Sequence, residues 1–236
     1  ATGTKWIGVD YAPGETEGVP NNTEFAFPIY YKGKVYFRAK DGIHGCEPGV
    51  TDFTAAGTHY ICDINVWNNE PIHDSWAPEF PFIYEDYLFC SANGSYYYPA
   101  DTYHDSGYCL WRYNLAEGGV TPNSTNGLIG FQYQSNWTLN GKEIFPDNNS
   151  DEPRWFTACG GRMYLRAQDV ADNRELWMME GKDDTPKKVV DFEGDGRPHN
   201  FMAVGNALYF ITTTTKTLYK YNPEPYGTGT EDIIRS

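Results

Sequence analysis

Arg174-Glu175-Leu176-Trp177-Met178-Met179-Glu180-Gly181, followed by Thr185-Pro186-Lys187-Lys188-Val189-Val190-Asp191-Phe192, alternates apolar and polar residues on both sides of a Gly/Asp-rich break. A period of two is what a strand with one buried face imposes, and the break has the residues of a turn, so the stretch predicts strand, turn, strand. A related phrase stands near the N-terminus. There Asp41-Gly42-Ile43-His44-Gly45-Cys46-Glu47-Pro48-Gly49-Val50-Thr51-Asp52 leads through Ala55-Ala56-Gly57-Thr58 to Tyr60-Ile61-Cys62-Asp63-Ile64. Two copies of one phrase mark an internal repeat.

The two phrases resemble the ELWxxDGT repeat of extracellular β-propeller proteins, whose unit runs roughly DGxHGxELWxTDGTxxGTxLVxDI. The resemblance implies an all-β chain of four-stranded blades. Repeats are expected at approximately 24–66, 78–137, 152–193 and 200–236, with residues 4–10 as a further strand. Phe25 to Tyr31, Lys32-Gly33 and Val35 to Ala39 open the first repeat; Pro48-Gly49 then replaces Leu-Trp, and the loss of a ladder donor and of packing predicts a short or bulged strand there. Phe80 to Tyr84 and Tyr87 to Cys90 open the second, which is interrupted by an insertion from Gly94 to Ser106 before Tyr108 to Tyr113 restores the Leu-Trp strand. The third is the cleanest, with Gly160-Gly161 as its first turn, and the fourth runs through Leu208 to Ile211 and Leu218 to Tyr221. Four blades closed by the N-terminal strand, pairing near Leu218 to Tyr221, are the expected ring; five blades are the alternative. Residues 231 to 236 compete for that same edge, and if they hold it the N-terminal strand is free to add to another sheet.

Composition narrows the function. A net charge of −14 and the absence of a Lys/Arg cluster denser than Lys187-Lys188 argue against nucleic acid, whose phosphates demand such clusters. No apolar run reaches the length of a membrane span, and no signal peptide begins the numbered chain. Five Asn-x-Ser/Thr sequons, at Asn21, Asn93, Asn123, Asn136 and Asn148, point to a secreted glycoprotein, although Asn and Ser/Thr also populate turns for their own reasons. In the repeat alignment Cys46 and Cys62, and likewise Cys90 and Cys109, fall on strands that should be neighbours, so bridges Cys46–Cys62 and Cys90–Cys109 are expected. Cys159 is then left over, as a buried thiol or a link to another chain.

No short catalytic motif is present, and the five histidines have no metal-favouring spacing. Glu47 and Glu175 are repeat positions, expected to bond backbone or a neighbouring Arg. Two acidic loops alternate oxygens as the first half of a calcium loop does: Asp191, Glu193 and Asp195, and Asp147, Asn149 and Asp151. Their twelfth positions, where a bidentate Glu belongs, are Met202 and Ala158, so calcium is a weak expectation and a solvated turn the default. The aromatic excess, 19 Tyr and 7 Trp, is the stronger signal. Part of it lies in the insertion, with Tyr96, Tyr97, Tyr98, Asp101, Tyr103 and His104; Trp76 and Trp137 are further stacking platforms. Flat rings beside hydroxyl-bonding polar groups suit a glycan, and equally an extracellular protein partner. The expected function is therefore a secreted, non-catalytic recognition module. A self-associating structural subunit is the alternative, and a propeller hydrolase or lyase a third reading.

Overall fold

The computed structural model describes residues 26–40, 46–54, 57–61, 79–97, 103–115, 128–129, 138–139, 142–143, 152–169, 173–182, 184, 186–223 and 230–234. Among these there is no helix. Four antiparallel four-stranded sheets follow one another, each with its strands in sequence order. The first holds β1 (Ala26–Tyr31), β2 (Lys34–Lys40), β3 (Cys46–Thr51) and β4 (His59–Tyr60). The second holds β5 (Glu79–Tyr84), β6 (Tyr87–Tyr97), β7 (Tyr103–Asn114) and β8 (Leu128–Ile129). A separate two-stranded ladder, β9 (Thr138–Leu139) and β10 (Lys142–Glu143), comes next. The third sheet holds β11 (Arg154–Cys159), β12 (Arg162–Gln168), β13 (Arg174–Met179) and β14 (Lys187–Val190). The fourth holds β15 (Pro198–Val204), β16 (Ala207–Thr212), β17 (Leu218–Asn222) and β18 (Thr230–Ile234).

The first hairpin of each sheet turns on two residues. Lys32 and Gly33, Glu85 and Asp86, and Gly160 and Gly161 all have positive φ, from 46° to 84°. Positive φ at both central residues is the type I′ geometry, whose twist matches that of the flanking strands. Gly161 has open space where a Cβ would stand, so its glycine serves the backbone angle alone.

The second and third sheets each bury the two faces of their middle strands against different neighbours. Tyr36, Val50 and Ile61 of the first repeat meet Leu88 and Tyr113 of the second. On the other face of the second sheet, Tyr87, Phe89 and Leu110 meet Met163, Leu165, Ala167, Trp177 and Met179 of the third. The third sheet's remaining face sends Tyr164, Leu176 and Val190 against Leu208, Phe210 and Tyr221 of the fourth. This two-sided burial explains the consecutive apolar run Met163-Tyr164-Leu165, all fully buried. A side chain of this size stabilises the fold by about 1.5–3 kcal/mol when fully buried. The first strands of consecutive sheets also pack together, β1 on β5, β5 on β11 and β11 on β15. Hydroxyls fix the spacing: Tyr31 donates to Asp86 in the first turn of the second sheet, and Tyr84 donates to the Gly161 carbonyl, 2.7 Å away, in that of the third. The result is a row of blade-like sheets.

Four expectations need correction. The edge of β17 on which an N-terminal closing strand was to pair is occupied by β18, in register from Leu218 opposite Ile234 to Asn222 opposite Thr230. Residues 4–10 lie outside the described residues. β3 is neither short nor bulged: its six residues pair with β2 without a register shift. Gly49 stands directly opposite Phe37, and a Cβ on it would come 2.8 Å from that ring, so the missing side chain makes room for the ring. The insertion after Cys90 prolongs β6 and β7 as one long hairpin, with Tyr96 opposite His104 and Tyr97 opposite Tyr103. Finally, Cys90 pairs with Trp111 and Cys109 with Ala92, so the register does not oppose the two cysteines as the expected bridge requires. Cys62 lies outside the described residues.

Candidate functional site

The first strand of every sheet breaks register at the same place, between Ala26 and Ile29, Glu79 and Phe82, Arg154 and Thr157, and His199 and Met202. Inside each break sits a non-glycine residue in the left-handed region: Phe27 (54°), Phe80 (53°), Trp155 (60°) and Asn200 (55°). Such an angle costs a bulky residue about 1–3 kcal/mol, and bulges re-aim side chains. Here the rings of the first three and of His199, which precedes Asn200, form a continuous row. Phe27 and Phe80 have centroids 5.8 Å apart, Phe80 and Trp155 6.3 Å, and Trp155 and His199 6.2 Å. Phe27 is 37% exposed, and Phe80, Trp155 and His199 are partly exposed, so the row meets solvent.

Guanidinium groups flank this row. Arg38 lies over Phe27 at 5.1 Å and Arg154 over Phe80 at 5.3 Å, both within cation–π range. Arg166 is paired across the ladder with Arg154. Arg174 donates to Glu152 through Nε (3.0 Å) and Nη2 (3.3 Å), and to Asp195 through its backbone N (2.9 Å) and Nη1 (3.2 Å). Arg197 closes on Asp195 at 2.5 Å. Burial alone would raise the Glu152 carboxyl, but the bonds from Arg174 and the charges of Arg154 and Arg166 hold it below the usual range. Asp195 is likewise held low, its burial outweighed by the Arg174 backbone bond and by Arg197. Burial first, and then the positive charge of Arg154, lower the Arg166 guanidinium to about 10. Arg38 also sees Glu79, 3.9 Å away. Among the described side chains, five arginines of this end thus stand with three carboxylates, in a chain whose net charge is −14.

A second polar group lies where the opening stretch of the repeat ends. Carboxylate oxygens of Asp169, Glu175 and Asp191 come within 4.8 Å of one another. Glu175 is 0% exposed; its Oε2 accepts from the Phe192 backbone N at 2.9 Å, and its Oε1 has no hydrogen-bond partner. Burial, aided by the Asp191 and Asp169 charges, raises its carboxyl to about 7. The Lys188 ammonium bridges Asp169 (3.1 Å) and Asp191 (2.9 Å). Among the described residues, these three carboxylates are the group that could hold a cation.

The structure regroups the residues singled out in the sequence. Asp191 joins Asp169 and Glu175; Glu193 is exposed, and Asp195 turns to Arg174 and Arg197. Glu175 bonds backbone, as its place in the repeat implies. Cys159 is a buried free thiol whose pKa burial raises, which removes it from the surface where a link to another chain would form. Tyr96, Tyr97, Tyr103 and His104 lie in the extended parts of β6 and β7, as does Asn93 of a sequon. Because Glu79 pairs with Ser91, the prolonged hairpin runs beyond the end of the second sheet at which Phe80 stands. Tyr98, Asp101, Trp76, Trp137, Asp147, Asn149, Asp151 and the sequons at Asn21, Asn123, Asn136 and Asn148 lie outside the described residues.

The ring row and the arginines were missed in sequence, although both left a trace. Phe27, Phe80 and Trp155 each stand six residues before the second residue of a turn, Gly33, Asp86 and Gly161, and Tyr36-Phe37-Arg38-Ala39 matches Tyr164-Leu165-Arg166-Ala167.

No protein-family model and no curated protein matches this sequence. Among solved structures, the chain is similar to a puromycin-hydrolyzing peptidase of Mycobacterium tuberculosis, at 10% identity and a TM-score of 0.42. That match covers 91% of this chain and 39% of the peptidase, so the chain spans about two fifths of that protein's length. It is also similar to Zg3597, a family 117 glycoside hydrolase from the marine bacterium Zobellia galactanivorans, at 14% identity and a TM-score of 0.39 over 89% of this chain and 68% of that one.

Proposed function

We propose that this chain is a non-catalytic recognition module built on a β-propeller plan, secreted and glycosylated, and that it binds carbohydrate. The observation that carries the reading is the row Phe27–Phe80–Trp155–His199, one partly exposed ring from each sheet, three of them the left-handed residue of a bulge and His199 the neighbour of the fourth, Asn200. Rings presented in series give successive sugar units flat apolar faces, while neighbouring arginines and carboxylates satisfy hydroxyls. Strain repeated four times is retained where it positions something. The β6–β7 hairpin, with Tyr96, Tyr97, Tyr103 and His104 in its overhanging part, stands at the same end and supplies a second wall. Calcium at the Asp169–Glu175–Asp191 group is an accessory of this reading, and no step of it depends on the ion.

A glycan array tests the proposal. The wild-type chain is expected to bind a restricted set of oligosaccharides, Trp155→Ala to lose that binding by about tenfold or more, and Tyr97→Ala or Tyr103→Ala to weaken it. Unchanged affinity in Trp155→Ala moves the site away from the row. Unchanged affinity in both tyrosine variants removes the hairpin from it.

A further inference from the structure

The arginines beside the ring row leave an electrostatic problem that the described side chains do not solve. Arg154 and Arg166 are directly opposed on β11 and β12, and the Nε atoms of both are buried with no hydrogen-bond partner. Among the described residues, the carboxylate of Glu152 acts on Arg166 through its charge, but its two oxygens are taken by the fork of Arg174. Asp195, whose charge also acts on Arg166, is divided between Arg174 and Arg197. Glu79 stands 3.9 Å from Arg38. Two adjacent guanidinium groups are thus held partly out of water without a bidentate acceptor. Like charges placed so are destabilising, and buried donors left unmade cost more than their bonds would return. Such an arrangement persists where a bound group supplies the missing acceptor, and an Arg fork presents paired N–H donors at the spacing of two oxyanion oxygens. The adjoining rings of Phe80 and Trp155 offer the apolar face on which the rest of that ligand lies.

We infer that Arg154 and Arg166 bind the oxyanion of an acidic saccharide, a carboxylate or a sulfate carried on a sugar that stacks along the Phe80–Trp155 rings. This deepens the carbohydrate reading and rests on it for the sugar, but the anion requirement is separable. The net charge of −14 disfavours anions in general, so a local group of arginines makes the site selective.

The test uses the whole chain and four probes: a polyuronate oligosaccharide, a sulfated galactan oligosaccharide, a neutral β-glucan oligosaccharide and free glucuronate. Each is titrated by calorimetry into wild type, Arg154→Gln, Arg166→Gln and Arg166→Lys at two salt concentrations. At least one acidic oligosaccharide is expected to bind about tenfold or more tightly than the neutral one and to weaken with salt. Arg154→Gln and Arg166→Gln should each lose about tenfold on it with no change on the neutral ligand, and Arg166→Lys should recover part of the loss. The carboxylate and sulfate arms decide which oxyanion it is. Folding is checked separately: without ligand at low salt, both Gln variants should melt no lower than wild type, since each removes an uncompensated charge. Neutral and acidic ligands binding alike, or acidic binding indifferent to both Gln changes, overturns the inference while leaving the carbohydrate reading in place. If no oligosaccharide binds, the carbohydrate reading falls. The anion site then stands on an Arg-dependent response to glucuronate and falls without one.

Discussion

Glu175 condenses the chemistry of the repeat into one side chain. Its Oε2 holds the Phe192 N–H at 2.9 Å, tying the start of β13 to the segment that leaves β14, so the acid of the ELW phrase is a clasp. The clasp is fully buried, and what faces it is Asp169, Asp191 and, through both of these, Lys188. Burial, and then the two acids, raise its pKa from 4.5 to about 7, with Lys188 pulling the other way. The native state therefore binds a proton that the unfolded chain releases near pH 4.5, and stability falls as pH rises through the window from about 4.5 to 7. Glu175→Gln keeps an acceptor for Phe192 and has no proton to lose. Its urea midpoint should coincide with that of wild type near pH 4.5 and exceed it at pH 8, by at most roughly 3 kcal/mol at about 1.4 kcal/mol per pH unit. A wild type and variant that stay parallel across this range would show Glu175 ionised without cost, as a bound cation would make it. The backbone role of this residue was legible because a repeat position serves the repeat. Its partners were not, since Asp169 and Asp191 flank it from six residues before and sixteen after.

At the level of elements, the pair β2–β3 and its counterpart β12–β13 solve one packing problem in two ways. Phe37 faces Gly49 in the first sheet, and Leu165 faces Trp177 in the third. One large and one smaller residue share the cross-strand space, with their order exchanged. Read along the chain, Pro48-Gly49 looks like a damaged Leu-Trp; read across the ladder, Gly49 is the complement of Phe37. Pattern reasoning found the strands because alternation is written along the sequence, and it mistook β3 because complementarity is written across it. For the same reason the four bulges stayed hidden: an extra residue in β1, β5, β11 and β15 disturbs a period of two only slightly. Gly49→Ala is expected to lower stability by about 1–3 kcal/mol through overpacking against the Phe37 ring. The double change Phe37→Leu with Gly49→Ala should cost less than the sum of the two single changes, because the contact responsible has been removed. Urea melts of the four proteins measure the coupling, and strict additivity would show that the strand relaxes away from the ring.

On the scale of the molecule, the repeat organisation was readable, since each sheet draws its strands from one contiguous segment. The candidate site was not, since its rings and arginines come one or two at a time from different sheets and meet only once the sheets are stacked. The same stacking governs how the chain ends matter. In an array where each sheet packs on the next, stability is approximately a sum over neighbours, and loss of a terminal strand acts on its own sheet first. β18 completes the fourth sheet by pairing along the whole of β17, the edge that the resemblance had assigned to the N-terminal strand. Removing residues 230–236 bares the N–H and C=O groups of Leu218 to Asn222, a free edge of the kind that recruits another chain. That truncation should melt several degrees lower and form concentration-dependent oligomers, whereas removal of residues 1–22 should leave the fourth sheet paired and the melting midpoint nearly unchanged. Size-exclusion chromatography with light scattering and a thermal melt distinguish the two. A large loss of stability on removing residues 1–22 would mean that the N-terminal segment closes the assembly at an edge other than β17.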